Sequence, residues 1–312
     1  MNQGGFCPVL PLPCFPVPSV TRPSSLMKHI ARLLLGIIPF VALGAAVSAP
    51  GKPSGETTAM DGVRQLQDYQ VVELRRYVTM DGERAHFVKY FDTYFPESFE
   101  QLGAMVFGQF TERGNSTHFT WLRGFKDINA RAIVNAAFYY GPVWKEHRLE
   151  VNAILPDSDN VMLMRPLQPQ QGIPVLPAVD PVTEEDGAQG VVVAQIFAVK
   201  KGCEVAFAKQ AEAAFARYRI SGVHPAGVLV SLEVANNFPQ LPIRTDGPFL
   251  VWLGVVKNNA TLDEQFTPIL ASAEQSLAAT GLLRGAPERL VMDPTPRSRL
   301  RWLPDATTGA SP

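Results

Sequence analysis

The sequence has few cysteines and no excess of charge of either sign. Both features limit the classes of protein to which the chain can belong. It contains 3 Cys among 312 residues, and its 28 Lys and Arg nearly balance its 29 Asp and Glu, for a formal net charge of −1. Without a basic excess or a Lys/Arg-rich run, the chain lacks the charge pattern of a nucleic-acid-binding protein. Hydrophobic residues make up 46% of the chain, which is enough to bury a substantial core.

Motifs of several common chemistries are missing as well. The chain has no Gly-rich phosphate loop, no His-Glu-x-x-His, no Cys-x-x-Cys and no Gly-x-Ser-x-Gly. His86, His118, His147 and His224 are scattered, and none pairs with another at the spacing of helical metal ligands. We therefore expect no bound metal and no cofactor.

The N-terminal region predicts export. Basic residues near Met27 precede an apolar run at 33–47, which is shorter than the roughly 20 residues of a transmembrane helix. Small side chains around Ala46 end the run, as in a secretory signal. We predict a signal peptide at 27–48 and a periplasmic or secreted protein with no stable membrane span after processing. An uncleaved anchor is the alternative.

The bounds of the predicted signal peptide suggest interpretations of the segments on either side of it. We interpret residues 1–26 as a mis-assigned extension upstream of the true start, and 49–68 as a flexible segment before the first strand. Cleavage removes two of the three cysteines and leaves Cys203, which has no nearby His in sequence to activate it. We expect Cys203 to be a small residue at the start of a helix.

The sequence pattern of residues 71–167 is repeated at residues 191–303, where the second copy has fewer charged residues. Gly82 and Gly202 lie 120 residues apart, and the same offset aligns Tyr77 with Phe197. Later in each copy the offset is 131, which aligns Trp121 with Trp252 and leaves a longer loop at 236–247 in the second copy. A fixed offset indicates one supersecondary unit used twice.

Each copy predicts the element order β-α-β-β-α-β. Residues 71–78 alternate as a strand, and apolar residues three and four apart from Phe87 to Leu102 indicate an amphipathic helix interrupted at Pro96. The remaining elements are strands at 104–111 and 117–125 joined by a hairpin at Gly114-Asn115, a helix at 127–138 and a strand at 161–164. This order is that of the ferredoxin-like unit.

Five ordered blocks in the first copy resemble the NIPSNAP family. They are Glu73-Leu74-Arg75-Arg76-Tyr77, Gly82, Phe119 to Phe125, Gly141 to Arg148, and Asp157 to Val161 with Leu163 and Arg165-Pro166. The second copy matches only in outline. The resemblance implies the dimeric α/β-barrel superfamily, in which two ferredoxin-like sheets close into one barrel. We predict an α+β fold in which two ferredoxin-like repeats of a single chain form a pseudodimeric α/β barrel.

The domain organisation follows from these patterns. The predicted parts are a first repeat at 69–167, a Pro-rich linker at 168–190, a divergent second repeat at 191–304 and a disordered tail at 305–312. The linker composition favours an extended, semi-rigid spacer that crosses from one sheet to the other.

Polar residues of the first copy suggest a binding site. Glu73, Arg75 and Tyr77 share one face of the first strand, and Val72 and Leu74 share the other. If Val72 and Leu74 pack on the helices, the polar set points into the barrel. The predicted ligand-binding residues are Glu73, Arg75, Tyr77 and His118, closed from across the barrel by Phe197 and Phe249. The alternative is structural. Glu73 and Arg75 then form an ion pair that stabilises the fold, and His118 is a non-catalytic histidine whose hydrogen bonds are satisfied.

Two functions remain open. The first is an exported, non-catalytic module that binds a small molecule or another protein. The second, which the wider superfamily implies, is a cofactor-independent monooxygenase or isomerase acting on a small aromatic or polyketide-like molecule. In that case His118 is the general base, Arg75 stabilises the anion and Glu73 orients Arg75. A homodimer is open as well.

Overall fold

The computed structural model describes residues 69–303, so the predicted upstream extension, signal peptide, flexible segment and tail lie outside the described residues. Eight antiparallel strands form a closed barrel in the order β1-β3-β2-β8-β5-β7-β6-β4. Within residues 69–303, no helix has the length and apolar character needed to cross a bilayer.

The elements follow the predicted order in both parts of the chain. The strands are β1 Val71–Val78, β2 Met105–Glu112, β3 His118–Phe125, β4 Asp157–Pro166, β5 Val191–Ala198, β6 Val223–Ser231, β7 Phe249–Val256 and β8 Glu288–Pro294. The α-helices are α1 Arg84–Tyr94, α2 Pro96–Gln101, α3 Ile128–Tyr139, α4 Pro142–Ile154, α5 Glu204–Phe215 and α6 Thr267–Ala278, with a π-helical turn at Thr261–Phe266. The helix α4 was not predicted from the sequence.

Local sequence signals account for several of these boundaries. Pro96 ends the first helix and occupies the first turn of α2, where its missing N–H costs no hydrogen bond. The Asp127 side chain accepts a hydrogen bond from the Ala130 backbone N–H and caps α3. Gly82 and Gly202, the glycines aligned by the offset of 120, have φ of 80° and 83° at the same turn before a helix.

Each half contributes a contiguous part of the barrel. Strands of the first half lie in the order β4-β1-β3-β2 and those of the second in the order β8-β5-β7-β6, joined through β2–β8 and β4–β6 pairs. The pairing registers agree, because Arg75 lies opposite Trp121 and Gln195 lies opposite Trp252. The predicted α+β barrel is confirmed, and a single chain supplies all eight of its strands.

The interior of the barrel is an apolar core to which every strand contributes. It includes Val72 and Leu74 of β1, Leu122 of β3, and Phe249 and Val251 of β7. Two further cores lie outside the barrel wall, one between the sheet and helices of each half. Each sheet is therefore covered on both faces.

The Pro-rich linker is packed rather than free. Ile173, Val175 and Leu176 are buried in the barrel core. Arg299 and Arg301 donate hydrogen bonds to the carbonyls of Leu176 and Pro177. The segment 168–190 therefore connects β4 to β5 and also fills part of the barrel.

Candidate functional site

The predicted polar set faces the helices, not the barrel interior. Glu73, Arg75 and Tyr77 lie on the outer face of β1, because Val72 and Leu74 occupy the inner face. Trp121, directly opposite Arg75, packs with the helix residues of the first half. The expectation that Val72 and Leu74 pack on the helices was wrong. Both faces of β1 are buried. The alternation therefore separates the residues into two faces but does not show which face points into the barrel.

The other predicted residues lie elsewhere. His118 pairs with Val78 and shares the inner side of β3 with Leu122, so it is on the opposite face of the sheet from Arg75. Phe197 packs in the outer core of the second half, and Phe249 lies inside the barrel. The structure therefore brings Glu73, Arg75 and Tyr77 together and separates them from His118, Phe197 and Phe249.

Glu73 is the centre of a buried cluster of arginines. Its Oε2 accepts hydrogen bonds from Arg75 Nη1 at 2.8 Å and from Arg123 Nε at 2.7 Å. Its Oε1 accepts one from Arg131 Nε at 2.6 Å. The exposed fractions are 0% for Glu73, Arg123 and Arg131 and 1% for Arg75. One carboxylate therefore serves three guanidinium groups away from solvent.

The cluster keeps Glu73 ionised. Burial by itself raises the pKa of Glu73, but the positive charges of Arg123, Arg75 and Arg131 outweigh it and hold the pKa well below its usual range. Arg123 also lies over the rings of Phe99, Trp121 and Phe125 at 4.8, 5.1 and 5.1 Å. The aromatic side chains between the sheet and the helices thus contact the charged guanidinium of Arg123 as well as apolar side chains.

A cavity of about 110 Å³ opens next to Arg75, between the sheet and the helices of the first half. Arg75 Nε donates to the Tyr77 hydroxyl at 2.8 Å, and both residues line the cavity. Most of its wall is aromatic, formed by Phe87, Phe91, Phe95, Phe99, Trp121, Phe138, Tyr139 and Trp144. An apolar cavity with a few polar groups on one side has the composition of a small-molecule site.

The long loop of the second half covers part of this site. Leu241 lines the cavity. Asn236 and Asn237 accept hydrogen bonds from Arg131 Nη1 at 3.0 and 2.9 Å, and the Phe238 ring lies 6.1 Å from that of Tyr139. The segment 236–247, identified as the extra residues of the second copy, therefore contacts the candidate site of the first.

Arg123 and Arg131 were not predicted as site residues, although the sequence contains a signal for both. At the offset of 131 these residues align with Gly254 and Leu262, so they lose their charge in the second copy, as Glu73 does at Val193. The pairing register places Arg123 directly opposite Glu73 across β1 and β3. Extending the comparison from the first strand to β3 and α3 identifies the whole cluster.

The cavity beside Arg75 differs from the other depressions of the surface. Three of these, of about 320, 420 and 480 Å³, are larger. Among the described residues that line the four, Arg75 is the one charged side chain that is buried. For this reason we take the smallest cavity as the candidate site.

A closed antiparallel barrel with helices on its outer face defines an α/β barrel protein of the α+β class. Residues 72–168, about a third of the chain, match the sequence model of the NIPSNAP family. The resemblance read from the sequence is thereby confirmed, and the matched segment contains all four members of the buried cluster.

Solved structures give weaker likenesses. A NIPSNAP domain protein of Burkholderia xenovorans is 18% identical, with a TM-score of 0.28, over 30% of this chain and 90% of that one. An anthrone oxidase-like protein is 12% identical, with a TM-score of 0.46, over 72% and 91%. A variant of the chlorite dismutase of Candidatus Nitrospira defluvii is 12% identical, with a TM-score of 0.44, over 75% and 96%. A comparison with curated proteins gives no match.

Proposed function

We propose that the protein is a non-catalytic small-molecule-binding protein whose site is the aromatic cavity beside Arg75. The observation that carries this proposal is the opening of a buried arginine into a cavity with aromatic walls. Arg75 shares its acidic partner Glu73 with Arg123 and Arg131, so its charge is only partly compensated within the cluster. The cavity, at about 110 Å³, is somewhat smaller than the engineered cavity of about 150 Å³ that holds benzene, so the ligand we propose has no more than a single ring.

The catalytic alternative has less support. A general base and an anion stabiliser must reach the same reacting group. His118 and Arg75 lie on opposite faces of the sheet. The arrangement that the oxygenase or isomerase hypothesis requires is therefore not assembled around these residues.

Two further parts of the proposal concern origin and location. We propose that the two halves are divergent ferredoxin-like copies of one unit, of which the first keeps the site and the second supplies its covering loop. The shared strand order and the shared register of Arg75 with Trp121 and Gln195 with Trp252 support this. We also propose that the protein is exported, for which the segment 27–48 is the support.

Binding can be tested with a panel of single-ring compounds. The full chain is heated with toluene, phenol, benzyl alcohol and benzoate, and a compound that binds the folded state raises Tm by mass action. We expect at least one of them to raise Tm in the wild type. The Leu241→Trp variant, which fills the cavity from its covering loop, should abolish that shift.

A matched control separates the cavity from the barrel. Phe249→Leu alters an apolar side chain inside the barrel and should keep the ligand-induced shift at a lower starting Tm. The proposed site would be contradicted if no compound raised the Tm of the wild type. It would also be contradicted if the increase in Tm persisted in the Leu241→Trp variant.

A further inference from the structure

The buried cluster carries more positive than negative charge. Arg75, Arg123 and Arg131 share the single carboxylate of Glu73, so these four buried side chains together carry a net charge of 3 − 1 = +2. Burying an uncompensated charge is costly, and a fold offsets it with a counter-charge. An anion in the adjacent cavity supplies such a counter-charge.

The cluster also has hydrogen-bond donors to spare. Arg123 Nη1, Arg123 Nη2 and Arg131 Nη2 are fully buried without a partner in the described part of the chain. Arg75 uses Nε and Nη1 for Tyr77 and Glu73, and no partner within residues 69–303 accepts from its Nη2. Buried donors without a partner are rare in folded proteins. Arg123 and Arg131 are not among the described residues that line the cavity, so Arg75 is the arginine of the cluster that can contact a ligand there.

The polar groups of the cavity are suited to an anion. The Tyr77 hydroxyl accepts from Arg75, so its own hydrogen is available to donate. Tyr139 also lines the cavity, and burial, with the nearby Tyr77, raises its pKa, which keeps the hydroxyl protonated. None of the 15 described residues that line the cavity is an Asp or a Glu. Donors therefore face the ligand without a competing carboxylate.

The second half shows that the fold does not require these charges. Its counterparts of Glu73, Arg75, Arg123 and Arg131 are Val193, Gln195, Gly254 and Leu262. Gln195 is satisfied by the hydroxyl of Tyr218 and by Glu274, at 2.6 and 2.8 Å. A side chain at Gly254 would lie 2.2 Å from the Trp252 ring, so no space for a second arginine remains there. The charges belong to the first half alone.

We propose that the cavity binds a small aromatic carboxylic acid as its anion. The carboxylate accepts hydrogen bonds from Arg75 Nη2 and from the hydroxyls of Tyr77 and Tyr139, and the ring packs against the phenylalanine wall. Guanidinium and carboxylate pair strongly because the hydrogen bonds are charge-assisted. This inference rests on the proposed function and adds the charge and chemical class of the ligand.

Calorimetric titration of the full chain with benzoate, benzyl alcohol and benzylamine tests the charge. The three probes share a ring and differ in carrying a negative, neutral or positive group. We expect benzoate to bind at least about 10-fold more tightly than benzyl alcohol, since hydrogen bonds to charged groups contribute about 1.5 to 3 kcal/mol. Benzylamine should not bind.

Variants locate the effect. Arg75→Met keeps much of the stem and should weaken benzoate binding by about 10- to 150-fold with little change for benzyl alcohol. Tyr139→Phe removes only a hydroxyl and serves if Arg75→Met does not fold; it should weaken benzoate selectively. The matched control is Arg289→Met, which breaks the ion pair with Glu274 in the outer layer of the second half and should leave benzoate affinity unchanged.

The outcomes distinguish the two proposals. Equal binding of benzoate and benzyl alcohol, abolished by Leu241→Trp, would overturn the anionic ligand and leave the binding function standing. Full benzoate affinity in both Arg75→Met and Tyr139→Phe would likewise overturn it. Failure of all three probes and of toluene to bind would remove the proposed function together with the inference.

Discussion

Arg131 of α3 donates a hydrogen bond from Nε to Oε1 of Glu73 at 2.6 Å, and both side chains have no exposed surface. This contact ties a helix of the first half to the central strand of its sheet. The same carboxylate holds Arg75 and Arg123. Its loss would therefore leave three buried guanidinium groups without their common partner.

We predict that Glu73→Gln lowers the free energy of unfolding by about 3 to 5 kcal/mol, the usual cost of removing one partner from a buried ion pair. Urea denaturation of the full chain measures the change. Glu274→Gln is the matched control in the second half, where Glu274 is 20% exposed and the cost should be much smaller. Equal effects of the two substitutions would contradict the central role of Glu73.

The stability difference between wild type and Glu73→Gln should depend on pH. The pKa of Glu73 is lowered in the folded state, so its contribution is fully present above the unfolded pKa of about 4.3 and is lost as pH falls through the folded value. Denaturation at a series of pH values from neutral to strongly acidic should show the difference constant above about pH 5 and shrinking below it. A difference that does not change down to the acid limit would argue against this linkage.

Cleavage of the linker should not separate the halves. Val182 is 77% exposed and offers a protease access, while Ile173 and Val175 remain buried in the barrel core. The β2–β8 and β4–β6 pairs close the barrel independently of the cleaved bond. After a single cut near Val182, size-exclusion chromatography should show one complex of both fragments. Two fragments that elute apart, each still folded, would refute the shared barrel.

The export proposal makes a specific prediction about the N-terminus. Cleavage of the signal peptide after the small residues near Ala46 should give a mature chain that begins between Val47 and Pro50. N-terminal sequencing of protein recovered from the periplasm or the medium checks this. Recovery of the intact segment 28–47 in a membrane fraction would favour the uncleaved anchor instead.

The strand pattern predicted the barrel well but not the side of its wall on which the polar set lies. Alternation in β1 separates Glu73 and Arg75 from Val72 and Leu74, as expected. Which face of β1 points into the barrel depends on the direction in which the sheet curves as it closes. Both faces of β1 are covered, one by the barrel core and the other by helices. Apolar composition could not distinguish a helix-covered face from a barrel interior.

The candidate site was partly predictable for a related reason. Glu73, Arg75 and Tyr77 lie on one strand, so local periodicity groups them correctly. His118 lies on another strand, and local periodicity carries no information about the register between strands. The pairing of Val78 with His118 places the histidine on the other face. Arg131 joins from a helix 58 residues beyond Glu73, and such a contact follows from tertiary packing rather than from local sequence.

The most direct test is a crystal structure of the full chain with 4-bromobenzoate, in which anomalous scattering locates the bromine. We expect a bromine site among the phenylalanine rings of the first half, with the carboxylate within hydrogen-bond distance of Arg75. A bromine site inside the barrel near Phe249, or only on the protein surface, would contradict it.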